Sequence, residues 1–202
     1  MQLNAFFGGV GVGFINKFVF IILAVFISGL MVGRTPEFMG KKIEAKEVKI
    51  AILVALLHPF VILTGTALAA HIWVITPNAS DFLKWLNNPS FHGFSEMFYE
   101  FTSSAANNGS GFEGLGDTIS QFWNISTGCV MLLSRFIPII GPIAIAGYLS
   151  EKKYIPESAG SMKVDTFIFG AVLFSVVVII GALLFFPGLA LGPIAEHLTM
   201  MK

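Results

Sequence analysis

The sequence predicts an all-α integral membrane protein with four transmembrane helices and one short re-entrant helix. Three observations carry that expectation. The 202 residues are 55% hydrophobic and only 12% charged, with 21 Phe and 21 Gly, and the mean hydropathy is +0.80. Soluble domains carry roughly 25% charged residues, so a chain at half that value reads as a membrane protein. Four stretches reach the roughly 20 apolar residues a helix needs to cross the hydrocarbon. Between the second and third, a short aromatic stretch runs into the small-residue, amide-rich segment Phe101-Thr-Ser-Ser-Ala-Ala-Asn-Asn-Gly-Ser-Gly-Phe112.

The spans are expected at Phe14 to Gly33, Val48 to Ala70, Asn124 to Tyr148 and Thr166 to Leu191. The first is long enough to stay in the bilayer, so no separate signal peptide is expected. Charge sorts the connectors. Arg34, Lys41, Lys42, Lys46 and Lys49 follow the first span, and Lys152, Lys153 and Lys163 follow the third, together eight of the twelve basic residues. The segment from Ile75 to Gln121 has only Lys84, against Asp81, Glu96, Glu100, Glu113 and Asp117. Positive loops stay in the cytoplasm, which puts both basic connectors inside and the long segment and both termini outside.

In the first connector, Thr35 can cap a helix, Pro36 suits its first position and Glu37 favours its positive end. That predicts a short helix at the membrane surface, with a solvated connector as the alternative. Gly29-Leu-Met-Val-Gly33 has the small-residue spacing of close helix packing. Cys129, the single cysteine, excludes a disulfide framework and a cysteine metal cluster; a packed structural thiol is expected. No basic run suggests nucleic acid. No Gly-rich phosphate loop and no Asp-Lys-Thr-Gly phosphorylation sequence occurs, so ATP chemistry is not expected of this chain.

The polar segment is the most informative. Pro77 to Pro89 is turn-rich; then Phe91, Phe94, Met97, Phe98 and Phe101 recur at helical spacing, with Ser90 or Ser95 able to cap. A helix from about Ser95 to Ser104 spans on the order of 15 Å, half the hydrocarbon. Its negative end would point at Ser104, Ala105, Ala106, Asn107, Asn108 and Gly109, favouring a cation there. Gly109 and Gly111 permit dihedrals that turn carbonyls inward, and Asn107 and Asn108 can brace the loop from behind. Backbone at that depth is tolerated only beside a wet path or within protein, and carbonyl rings there replace the water shell of a cation such as potassium. The pattern thus fits a re-entrant pore helix and filter loop; an ordinary Gly/Asn-rich outer loop is the plainer alternative.

Arg135 lies about 17 Å into the third span, near the midplane. An intramembrane Arg carries a penalty of at least ~2.5–3.5 kcal/mol and faces a wet or protein interior. Below a carbonyl filter, its fixed charge would act as an electrostatic gate or promote ion release. The alternative is a structural pairing with carbonyls freed by Pro138 and Pro142. Lys17 can snorkel and is given no chemistry. His58-Pro59 reads as a helix kink, and a proton-coupled role is the lesser alternative.

Several motifs together carry a resemblance. Phe7-Gly-Gly-Val-Gly11, Gly29-Leu-Met-Val-Gly-Arg-Thr-Pro-Glu-Phe-Met-Gly-Lys-Lys42, His92-Gly-Phe-Ser-Glu96, Ser103-Ser-Ala-Ala-Asn-Asn-Gly-Ser110 and Ala190-Leu-Gly-Pro-Ile-Ala-Glu196 resemble the potassium-translocating A subunit of the bacterial Kdp P-type ATPase. That family is built from four span–pore loop–span repeats around one pore. The resemblance covers about its last third: residues 1–47 would be the inner helix of an incomplete third repeat plus a cytoplasmic surface segment, 48–149 the complete fourth repeat, and 150–202 a cytoplasmic loop and the final transmembrane helix. It implies potassium bound by the backbone carbonyls of Ala105, Ala106, Asn107, Asn108 and Gly109, with Arg135 as the basic residue of the following helix and Arg34 as the one after the third repeat's inner helix.

The resemblance further implies ATP-driven potassium uptake across the bacterial inner membrane, with hydrolysis in a separate catalytic P-type ATPase subunit. Accessory small membrane subunits and the upstream part of the pore subunit are the other expected partners, and no bound cofactor is expected beyond the transported ion. A non-transporting scaffold or assembly fragment of the same complex is the alternative from a different class. A homotetramer supplying four loops is a further arrangement. A proton-coupled carrier would rest on His58 alone, without paired carboxylates or an inverted second copy.

Overall fold

The computed structural model describes residues 1–75, 85–88, 90–118, 120–156, 160 and 163–201. Most of the turn-rich stretch expected over Pro77 to Pro89, including Asp81 and Lys84, lies outside them. The order is α1 (Gln2–Phe7), α2 (Gly13–Val32), β1 (Glu37–Phe38), β2 (Lys41–Lys42), α3 (Ala45–Ile75), α4 (Phe91–Ala105), α5 (Gln121–Glu151) and α6 (Phe167–Met200). The protein is an all-helical membrane protein with one miniature β-hairpin. The helices α2, α3, α5 and α6 are long and apolar enough to cross a bilayer.

The expected spans lie within these helices or match them to one residue, but three helices run further. Of these, α3 starts three residues before the apolar stretch, and α6 passes through Pro187 and Pro193 to Met200. Apolar length sets where a helix must be in lipid, not where its hydrogen bonding stops. At its start, α6 has a side-chain cap: the Thr166 hydroxyl accepts from the Phe169 N–H at 3.2 Å.

The first connector is not a surface helix. Its two strands pair antiparallel, Glu37 with Lys42 and Phe38 with Lys41. Met39 and Gly40 make the turn with φ of 53° and 70°, the left-handed region that Gly occupies freely and that hairpin turns demand. The Ile43 N–H closes the ribbon on the Pro36 carbonyl at 2.9 Å. Lys41 Nζ donates to the Leu149 and Ser150 carbonyls at the end of α5, at 2.7 and 3.2 Å. Lys152 Nζ reaches the Lys42 carbonyl at 2.9 Å and the Glu47 carboxylate at 2.8 Å. The basic residues therefore knot the ends of α3 and α5 together. Gly29 and Gly33 also differ from expectation. Gly33 terminates α2 with φ 69°, and a Cβ on Gly29 would stand 3.0 Å from Pro36, so this pair shapes a helix end.

The buried core runs through Ile22, Val25, Ala51, Val54, Ile62, Phe101, Trp123 and Ile145. Helix α3 lies centrally, against α2, α4 and α5. Phe101 of α4 seats over Gly65 of α3, where a Cβ would stand 2.5 Å from its ring. Cys129 is exposed rather than packed.

Candidate functional site

The polar segment sits at the C-terminal end of α4. At about 22 Å this helix is too short for a ~30 Å hydrocarbon layer. It starts at Ser90, whose side chain makes no capping bond and whose φ is 85°. One face packs Met97, Phe98 and Phe101 into the core. Glu96, Glu100 and Ser103 recur at intervals of four and three residues, which stacks them on one face, and all three are buried.

These polar side chains hold the surrounding backbone. Glu96 accepts from the Asn87 and Asn88 N–H groups at 2.9 and 2.7 Å and from Asn88 Nδ2 at 2.9 Å. Glu100 accepts from the Phe112 N–H at 2.9 Å and interacts with the Ser104 side chain. Ser103 Oγ donates to the Ser110 carbonyl and lies 2.9 Å from Ser110 Oγ. The loop 104–109 is thus closed at its base by Ser103 with Ser110, and held one step further out by Glu100.

Within the loop, the Asn107 and Asn108 N–H groups donate to the Ser104 and Ser103 carbonyls at 3.0 and 3.2 Å. Asn107 takes a φ of 53° and Gly109 a φ of 74°. Gly111 is not in that region; a Cβ there would stand 3.2 Å from Glu100 Oε2, so space is what it supplies. Asn107 Nδ2 donates to the Ala105 carbonyl at 3.3 Å and approaches the Met131 carbonyl of α5 at 3.5 Å. Asn108 Oδ1 accepts from Asn4 Nδ2 at 2.6 Å. Ser104, Ala105 and Ala106 are buried, and Gly109 is exposed.

A second glycine-rich segment meets this loop. Gly8, Gly9 and Gly11 all have positive φ, between 72° and 92°, and Gly9 lies directly on the Ala106 carbonyl, leaving no room for a side chain. Arg135 Nη1 donates to the Val10 carbonyl. The guanidinium's partner thus comes from between α1 and α2, not from carbonyls freed by the prolines of its own helix. One turn apart on α5, the Met131 carbonyl meets the loop through Asn107 and the Arg135 guanidinium meets the glycine segment. Behind that segment, His58 is buried, and its Cε1 would be 3.3 Å from a Cβ on Gly8.

The sequence profile of the family described as Potassium-transporting ATPase A subunit matches residues 1–198. The chain belongs to the potassium-transporting ATPase A subunit family. Proteins named Potassium-transporting ATPase potassium-binding subunit are similar over nearly all of it. Those from Flavobacterium psychrophilum and Flavobacterium johnsoniae are 65% and 66% identical, each alignment covering 99% of this chain and 36% of the relative. The one from Geobacillus kaustophilus is 54% identical over 99% of this chain and 34% of its own length. The chain therefore spans about a third of the length of these A-subunit relatives.

The sequence points to 104–109 and Arg135 as site residues; Gly9 and Glu96 occur in it only inside family motifs, with no role at the loop, and Glu100 and Asn4 carry no mark of one. By charge, Glu96 and Glu100 count as part of an acidic outer segment, yet both are buried. A signal for them exists: two carboxylates one turn apart on an otherwise aromatic half-helix are expensive in lipid unless they face protein. Nothing in the local sequence marks Asn4 or Gly9 as neighbours of a loop a hundred residues away.

Proposed function

We propose that this chain supplies one wall of a potassium-binding pore in an ATP-driven potassium uptake complex. The observation that carries the reading is the braced loop 104–109 at the negative end of α4. A half-length helix ending in small residues presents carbonyls and a helix dipole to one point, which suits a monovalent cation stripped of water. Carbonyls of Ala105, Ala106, Asn107, Asn108 and Gly109, with Ser104 at the mouth, are the potassium ligands. The Ala105 carbonyl already accepts one hydrogen bond, but each carbonyl has a second lone pair for the ion.

In this reading α4 is re-entrant, 48–149 forms a complete span–pore loop–span unit, 1–47 is the inner helix of a preceding unit with its cytoplasmic segment, and 150–202 adds a cytoplasmic loop and closing helix. The hairpin end faces the cytoplasm, and both termini and the start of α4 face outward, across a bacterial inner membrane. Arg135 is an electrostatic barrier next to the loop. Its partner is a carbonyl dipole, which leaves the charge in place to repel a cation and hasten its release. ATP hydrolysis belongs to a separate catalytic P-type subunit. Small accessory membrane subunits and the upstream portion of the pore subunit complete the complex, because one loop cannot enclose an ion.

Potassium uptake by cells expressing this chain with the upstream portion and the other subunits tests the reading. Gly109→Asp places a Cβ at φ 74° and a carboxylate on the path, and uptake is expected to fall to background with the protein still in the membrane. Equal uptake by both chains would mean the loop is not the ion path. The competing reading, a scaffold that assembles the complex without contacting the ion, is favoured by the single loop present here. It predicts co-purification with the other subunits that is insensitive to potassium.

A further inference from the structure

The final helix is nearly all exposed: among its described residues only Phe185, Gly188 and Gly192 are buried. Two of these three meet α4. A Cβ on Gly188 would stand 3.1 Å from the Phe98 ring, and one on Gly192 would stand 2.8 Å from Ser95 Oγ and 3.3 Å from the Phe91 carbonyl. The pair is one helical turn apart, so it forms a notch in α6 into which the first two turns of α4 fit backbone-close. Past the notch, His92 Nε2 of α4 lies 2.8 Å from Glu196 Oε1 of α6.

We propose that His92 and Glu196 are positioning residues for the ion-binding loop. The notch fixes how close α4 comes to α6, but a smooth glycine groove lets a helix slide and rotate. One directional bond at the outer end removes that freedom. The imidazole N–H aimed at a carboxylate sets the axial register of α4, and with it where the carbonyls after Ala105 fall at the other end. This is a lever: α4 is about 22 Å long, so a small tilt at His92 is transmitted to the loop, where ion coordination tolerates little error. Ser103 and Glu100 hold the loop to α4; His92 and Glu196 hold α4 to the last span. The role rests on the reading of 104–109 as the potassium-binding loop.

The test uses the assembled complex and initial rates of uptake over a range of potassium concentrations. His92→Ala and Glu196→Ala are expected to raise KM for potassium about three- to fivefold, the scale of one side-chain hydrogen bond. The kcat per assembled complex stays within twofold, because the chemistry that drives transport is elsewhere. The reciprocal exchange His92→Glu with Glu196→His is expected to recover the wild-type KM. Both side chains are partly exposed, at 64% and 37%, so truncation leaves the core intact. His92→Phe keeps the ring without the donor and serves if an alanine chain assembles poorly; it is expected to match the alanine effect. An unmoved KM in His92→Ala or His92→Phe overturns the proposal. So does a loss confined to the amount of assembled complex, or an exchange that fails to rescue. Gly109→Asp is measured alongside. Normal uptake there removes the loop reading itself, whereas lost uptake there with an unmoved KM at His92 removes only the positioning role.

Discussion

Glu100 lies in a helix that packs aromatic side chains into the core, and its carboxylate is buried. It accepts the Phe112 N–H just past the loop. That makes it a backstop on the far side of the chain reversal, beyond the Ser103–Ser110 closure. Glu100→Ala leaves a partly buried N–H without its acceptor, which costs about 1–3 kcal/mol. A lowered thermal midpoint of the purified complex is expected, with faster thiol labelling of a cysteine placed at Ser110. Glu100→Gln keeps an oxygen in place and should retain most of the stability. Equal midpoints for alanine, glutamine and wild type would show that Glu100 does not hold the loop. At the same scale, Gly9 and Gly111 are small for space: one lies on the Ala106 carbonyl, the other beside Glu100.

Among the elements, the hairpin β1–β2 shows how tertiary contacts override a local preference. Thr35-Pro36-Glu37 has the residues of a helix start, but Gly40 three residues on disfavours continuing one by about 1 kcal/mol and suits a tight turn. Tyr154 covers Gly40, the Ile155 N–H donates to the Gly40 carbonyl at 2.8 Å, and Lys152 bridges Glu44 and Glu47 at 3.2 and 2.8 Å. Glu47 also accepts the Glu44 N–H at 2.8 Å, which starts α3. Lys152→Met removes the cation from a carboxylate that is 1% exposed. A loss of about 1–3 kcal/mol is expected, read as a lower thermal midpoint, together with faster proteolysis of the hairpin. A midpoint unchanged from wild type would show that the knot contributes nothing to stability.

On the scale of the whole molecule, the charge asymmetry predicts which side of the membrane each connector faces. In a Cys129→Ser background, cysteines are placed singly at Met39 on the hairpin tip and at His92. An impermeant maleimide is expected to label position 92 in intact cells and position 39 only in inside-out vesicles. The reverse pattern would overturn the orientation. Large apolar side chains such as Phe14, Phe136, Phe167 and Phe186 are exposed on the four long helices. Such surfaces are stable only against lipid or protein, consistent with relatives about three times as long.

The amino-acid sequence alone determined the class of this protein, the order of its spans, the short helix before a loop of small residues, and the family. Each follows from quantities that accumulate along the chain: apolar length, aromatic spacing, charge per connector. The tertiary structure decided what those segments hold. The contacts of Asn4 with Asn108, Val10 with Arg135, His92 with Glu196 and Lys41 with Leu149 each join residues more than a hundred positions apart. A hydrogen bond across that separation depends on how helices cross, and helix crossing leaves no periodic trace in a single sequence. Glu100 therefore reads as one more acidic residue of an outer segment until the fold buries it, and Gly40 as a flaw in a helix until Tyr154 closes over the turn.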